Sequence, residues 1–216
     1  MQQAYPLATV ERLWRFPVKS LHPETLAHVA VDAGGFEGDR RSALFVLSDG
    51  HARSGKTYRG KEHNLFHTIA NPVAAQALAA ERDVEVERRD DGPYFDLRPV
   101  SLLLDCWLAE AERLVGRPLD PLRYRPNIFA RAAAGFGASE SELVGTVLQL
   151  GSVLLRVLEP IGRCVTTTYD IATGESDPLV LRAVAQHRDN QMGVYCDVLQ
   201  AGTIARGDAI VARTEA

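Results

Sequence analysis

The stretch EPIGRCVTTTYDIATGESDP, residues 159–178, brings a thiol, a guanidinium, three hydroxyls and a carboxylate close together. A lone cysteine is most often a small buried apolar residue. Here Pro160 and Gly162 take the backbone out of its strand, which sets Cys164 at a strand end, and the Arg163 cation beside it favours a thiolate. A thiolate near a cation suits a soft-metal ligand or a nucleophile. The nearest histidine along the chain, His187, falls in an expected helix, so no thiol–imidazole pair is apparent and the ligand role is preferred.

Other constellations are weaker singly. In RYRPNIFA, Arg123, Arg125 and Asn127 crowd around Pro126, and guanidiniums bind phosphate bidentately. Lys19-Ser20 in FPVKSL and Arg40 in GFEGDRR each read alone as a solvated turn. GHARSGKT, residues 50–57, fits the phosphate-loop pattern G-x-x-x-x-G-K-[ST]. That mechanism requires a helix beginning at Lys56 to direct its N-terminus at the phosphates. It also requires a buried strand ending in Asp for the metal. The following TYRGKEHNLFHTI has no amphipathic run, and LLLD is expected inside a helix, so a hairpin loop is preferred to a nucleotide site. His63 and His67 could share a helix face as metal ligands, but HExxH is absent and no third ligand is evident.

The elements that must carry these residues are mostly strands. ATVERLWRFPVKS reads as a strand stopped by Pro17, followed by strands in AHVAVDAGGF and RSALFVLSDG. DVEVERRDDGPYFDL, with Asp91-Gly92-Pro93, gives a hairpin signal, and TVLQLGSVLLRVLEP a second hairpin about Gly151-Ser152. Helices are expected over SLLLDCWLAEAERLVGRP, with Ser101 as N-cap and Gly116 as stop, and over SDPLVLRAVAQHR, with Asp177 capping and Pro178 first. GVYCDVLQAGTIARGDAIVAR closes the chain with strands. The sum is a mainly β fold, a β-barrel with two or three added helices.

Composition narrows the function. The chain has 216 residues, 46% of them apolar, and a net charge of −4, which argues against a general nucleic-acid binder. Nothing spans a membrane and no signal peptide is evident. Cys106, Cys164 and Cys196 make neither a disulfide framework nor an iron–sulfur site, and a reducing, cytoplasmic setting is expected.

FPVKSL, GFEGDRR, RYRPNI, EPIGRCVTTTYDIATGESDP and GVYCDVLQAGTIARGDAIV occur together in an order that resembles MOSC-domain proteins, the family of the molybdenum cofactor sulfurase C-terminal domain. The resemblance runs from about residue 8 to residue 213. It implies a MOSC N-terminal β-barrel segment over residues 5–95 and a MOSC domain over 96–214, packed as one unit. It also implies the molybdenum cofactor, a pterin (molybdopterin) with a dithiolene holding molybdenum and a terminal phosphate. Cys164 would be the metal ligand. Lys19, Ser20, Arg40, Arg125 and Asn127 would hold phosphate and pterin, Arg163 and Thr167 would flank the metal, and Asp170 would be a catalytic carboxylate. Relatives include the amidoxime-reducing component and hydroxylaminopurine-detoxifying proteins. The implied activity is therefore reduction of a small N-hydroxylated substrate, N–OH to N–H, with electrons from an external flavoprotein or ferredoxin-type donor. Alternatives are a persulfide carrier on Cys164 and a non-catalytic cofactor-binding module. Gly162 departs from the serine of the amidoxime-reducing branch, and GHARSGKT replaces its TAR-like loop, so Arg53 transfers weakly. With no cysteine-desulfurase segment, pyridoxal phosphate chemistry is not expected.

Overall fold

The computed structural model describes residues 6–48, 57–58 and 65–213. Strand β1 (Pro6–Arg15) ends just before Pro17 and is followed by the shorter β2 (Glu24–Leu26), β3 (His28–Asp32), β4 (Gly35–Phe36) and β5 (Ala43–Ser48). Helix α1 (Pro72–Ala80) leads to β6 (Glu85–Arg89), β7 (Val100–Leu104), α2 (Asp105–Val115) and β8 (Ile128–Ala132). The hairpin β9 (Val147–Leu150) and β10 (Val153–Gly162) precedes α3 (Pro178–His187), and β11 (Gln191–Gln200), β12 (Gly202–Ala205) and β13 (Ala209–Arg213) complete the chain.

Seven strands close into a barrel in the order β1–β8–β7–β11–β10–β9–β13, and β13 pairs back onto β1. Closure leaves no edge strand in this ring. All neighbours are antiparallel except β7 and β8. A parallel pair cannot be joined by a tight turn, and α2 supplies the crossover between them. β2 extends the sheet beside β1, β12–β3–β4 form a second sheet, and β5–β6 pair separately. The main core fills the barrel with Trp14, Leu102, Ile128, Leu148, Leu155 and Val194 among its members. A smaller core, including Leu21, Leu44, Val46, Tyr58 and Ala79, lies under β5, β6 and α1. The three helices and the barrel agree with the expected mainly β class.

Two local expectations are corrected. Ser101 does not cap a helix: Val100–Leu104 is β7, buried at every position, and α2 begins only at Asp105. A short apolar run is ambiguous by periodicity, and with strand partners on both sides and cover on both faces it becomes a strand. LLLD is thus a buried strand leading to an aspartate, so that argument against a nucleotide site does not hold. The other argument gains support. Thr57 bridges Phe45 antiparallel, and the Tyr58 N–H donates to Leu44 O at 2.7 Å, so the chain re-emerges beside β5 in extended form where a phosphate loop would be helical. Gly50 to Lys56, with Arg53, lie outside the described residues, as does His63.

The second correction concerns DVEVERRDDGPYFDL. β6 forms, but its partner is β5 and not the following aromatic segment. After β6 the chain turns across the molecule, with Gly92 and Tyr94 N–H groups donating to Arg41 O and Arg40 O at 3.0 and 2.8 Å. A Cβ at Gly92 would stand 2.6 Å from Arg40 O, so only glycine allows this approach. The expected β9–β10 hairpin and α3 form as read, Asp177 accepting the Leu179 N–H at 2.9 Å. α1 starts the same way, on Asn71 and Pro72. Its alanine-rich face gives little periodicity, and only the smaller core fixes it as a helix.

Candidate functional site: a cleft with a cationic end and a thiol end

Where β1 and β10 end and β7 and β8 begin, the loops enclose a cleft of about 330 Å³. Lys19, Ser20, Arg40 and Arg125 line one part of it, and Arg163, Cys164 and Thr167 line another. Seven residues drawn from four separate stretches of sequence therefore line one cleft. Asn127 and Asp170 do not line the cleft.

At the cationic end, Arg40 and Arg125 place their guanidiniums 4.7 and 4.2 Å from the centre of the buried Phe16 ring. The ring face attracts both cations. The loop between β4 and β5 delivers Arg40, whose N–H donates to Phe16 O at 2.7 Å. Asp39, fully buried, accepts the Phe16 N–H at 2.7 Å and pairs with Arg40. Arg125 donates from Nη2 to Leu21 O at 2.8 Å, with His67 Nδ1 3.2 Å from its Nη1. Desolvation, then the like charge of Arg40, pulls the Arg125 guanidinium down to about 9. Ser20, Arg40 and Arg125 have φ of 71°, 49° and 50°, so three non-glycine residues of this end are left-handed. Such backbone costs on the order of 1 kcal/mol per residue and tends to collect at working sites. Asn127 lies beneath, its Oδ1 accepting from Ser101 N and Oγ at 3.2 and 3.0 Å while Nδ2 donates to Trp14 O at 3.3 Å. It ties β1, β7 and β8 together under Arg40.

The thiol end is held by backbone. Cys164 is exposed, two residues past β10, and opens a 3-10 turn over Val165–Thr168. Thr167 donates both its N–H and its Oγ1 to Cys164 O at 3.1 Å, locking the peptide while leaving the thiol outward. Thr166 Oγ1 is 3.4 Å from the sulfur. The Arg163 side chain turns into the wall, where Nε donates to Met192 O and Nη1 to Tyr124 O, both at 2.9 Å. Burial lowers it to about 10. Arg163 thus acts on Cys164 through the backbone and through space. Desolvation works against the Asp170 charge, but the Thr173 and Ala172 N–H groups and the Arg123 cation outweigh it, and the carboxyl lies below its ordinary value. Its Oδ2 accepts from Arg123 Nη2 at 2.7 Å.

The structure adds wall residues outside the set expected from the sequence. His67, Asp96, Ser101, Arg123, Tyr124 and Tyr195 all face the cleft. Arg123 stands in RYRPN, yet its partners Thr168 O, at 2.8 Å, and Asp170 come from a distant stretch. Tyr195 reads only as a strand residue in GVYCDV. Its phenol is held protonated, raised by burial and then by the Asp96 carboxylate.

The fold and site together are a closed barrel whose end loops set arginines and a lysine across one cleft from an exposed cysteine. The chain belongs to the MOSC family: the MOSC domain matches residues 94–211 and the MOSC N-terminal beta barrel domain matches residues 7–78. No curated protein matches it. Among solved structures, YuaD protein from Bacillus subtilis is similar over the whole of both chains at 17% identity and a TM-score of 0.60. A hypothetical protein is similar over 97% of this chain and 70% of its own, at 12% identity and a TM-score of 0.52. YiiM from Escherichia coli covers 99% of this chain and 71% of its own at 12% identity and a TM-score of 0.48. For the first two of these, the likeness is one of fold. Among the described residues no helix is long and apolar enough to cross a membrane.

Proposed function

We propose that this MOSC protein binds the molybdenum cofactor in the cleft and reduces small N-hydroxylated compounds, N–OH + 2e⁻ + 2H⁺ giving N–H and water. One observation carries the reading: Lys19, Arg40 and Arg125 line the same cleft as the exposed Cys164. The donor set fits the group. Its phosphate is suited to the cationic end, where two guanidiniums and an ammonium supply charge-assisted donors. A thiolate suits a high-valent metal in a sulfur-rich shell. Among the described residues no three His, Cys, Asp or Glu side chains gather to hold a metal by themselves. A metal at Cys164 would therefore take its remaining ligands from the bound group. That group would supply two-electron redox chemistry at the metal.

The chain's own residues bind, orient and protonate. Thr167 and Arg163 hold the Cys164 peptide so that the sulfur points outward. Asp170, ionised and paired with Arg123, is a positioning residue for the 3-10 turn and not a proton source. Tyr195 Oη keeps its proton and can donate it to a departing hydroxyl. Electrons would come from an external protein donor of flavoprotein or ferredoxin type, for which the exposed thiol end leaves access. The test is metal and pterin analysis of protein from a cofactor-competent host. Wild type should carry about one molybdenum per chain and Cys164→Ser almost none. Metal-free wild type would overturn the reading, and a persulfide on Cys164 in pterin-free protein would replace it with a sulfur carrier.

A further inference from the structure

The cationic end contains two carboxylates held in opposite ways. Asp39 has a side chain 0% exposed, accepts a backbone N–H and is fixed to Arg40. Asp96 has a side chain 64% exposed and meets Lys19, itself 13% exposed, with Oδ1 2.6 Å from Nζ. Asp96 belongs to the segment between β6 and β7, which is fastened upstream by Tyr94 N–H to Arg40 O at 2.8 Å and downstream by Arg98 Nε to Glu159 Oε1 at 3.2 Å. Between these two fastenings Asp96 and Leu97 are exposed. The carboxylate also acts electrostatically on Arg125 and on Tyr195. It therefore faces the cations that a ligand anion would use.

We infer that Asp96 is an exchangeable counter-ion which an incoming phosphate group must displace from Lys19, and which thereby selects doubly charged anions. The inference rests on the anion-binding reading of this end. Among the described residues there, Lys19, Arg40 and Arg125 stand against Asp39 and Asp96, leaving one positive charge in excess. With Asp96 swung away the excess is two, which matches a phosphate monoester carrying about −1.5 to −2 at neutral pH. A singly charged anion would gain no more from Lys19 than Asp96 already gives. The displacement costs little, because the Asp96 carboxylate is 64% exposed and water takes over its solvation as it swings away. Asp39 cannot exchange in this way, since its removal would leave the buried Phe16 N–H without its acceptor and Arg40 without its ion pair.

Calorimetric titration of the cofactor-free full chain with inorganic phosphate, at fixed ionic strength and pH 7.5, tests this. Asp96→Asn should bind phosphate about fivefold more tightly than wild type, and should newly bind nitrate, a monoanion. Asp91→Asn, an exposed change on the same segment, should match wild type. Equal phosphate affinity in wild type and Asp96→Asn, or weaker binding in the variant, overturns the counter-ion role while leaving the anion end standing. An equal gain in Asp91→Asn assigns the effect to the general field and overturns it too. Absence of phosphate binding in every variant removes the anion end itself, and the counter-ion role with it.

Discussion

The two ends of the cleft hold their arginines by different means. Arg40 and Arg125 rest on one phenylalanine ring, Arg40 pairs with Asp39 while Arg125 also donates to Leu21 O, and Lys19 is tied to an exposed carboxylate. Arg163 is caged by main-chain carbonyls of Met192 and Tyr124 and stacks 5.3 Å from the Tyr124 ring. Side-chain partners can be traded for a ligand at small cost, whereas backbone partners cannot move without unfolding their strands. At the cationic end the Lys19–Asp96 pair is thus free to exchange, whereas the thiol end stays in place.

The sharpest way to break this contrast is Cys164→Ser. Reductase activity should fall by more than about 100-fold, beyond the range for residues that only orient ligands, while phosphate affinity at the other end stays at the wild-type level. A parallel loss of phosphate affinity would show that the two ends are not separable.

A pair of substitutions comes next. Arg163→Met strands Met192 O and Tyr124 O, and should cost about 3 kcal/mol, or roughly 6–12 °C in melting temperature. Arg125→Met removes a cation that desolvation and Arg40 already disfavour. It should cost under about 1 kcal/mol, chiefly the lost donor to Leu21 O, yet weaken phosphate binding about tenfold. Equal melting temperatures for the two variants would erase the distinction between the ends.

The pH dependence has a definite sign. Arg125 in the fold lies at about 9, below its ordinary 12.5, so its charge opposes folding fully below about 9 and this cost fades as pH rises from about 9 towards 12.5. A bound dianion reverses the balance by favouring the charged form. Stabilisation of the chain by phosphate, read as a shift in melting temperature, should therefore diminish as pH rises through about 9. A constant shift up to pH 10.5 would exclude Arg125 from the anion's contacts. The smallest effect is expected at Gly162, where an added Cβ meets nothing within 4 Å. Gly162→Ser should alter stability by less than about 0.5 kcal/mol, and a larger loss would mean that the thiol end tolerates less change than its open surroundings indicate.

Legibility in the sequence differed along the chain for physical reasons. Asp177-Pro178 and Gly151-Ser152 announce their helix and hairpin because capping and turn geometry are local. β7 was unreadable because VSLLL is apolar throughout, and only its two neighbouring strands decide between strand and helix. Cys164 was placed at a strand end by Pro160 and Gly162, which is again a local matter. Its relation to Lys19, Arg40 and Arg125 came from family resemblance, since nothing in their spacing requires them to meet. Asn127 and Asp170 stand near the site without lining the cleft: one knits three strands together and the other anchors Arg123.

By itself, the sequence determined the element types that rest on local chemistry, the MOSC membership and the short list of reactive side chains. The tertiary structure alone decided which of them share a wall. Closure of the barrel by β1 against β13 and β8 brings residues 19, 20 and 40 to the same end as residues 125 and 163–167. It also revealed Asp96, Tyr195 and His67 on that wall. An exposed aspartate on a connecting segment has no pattern that marks it as the partner of a distant lysine, because ion pairs are fixed by where the chain folds and not by intervals along it.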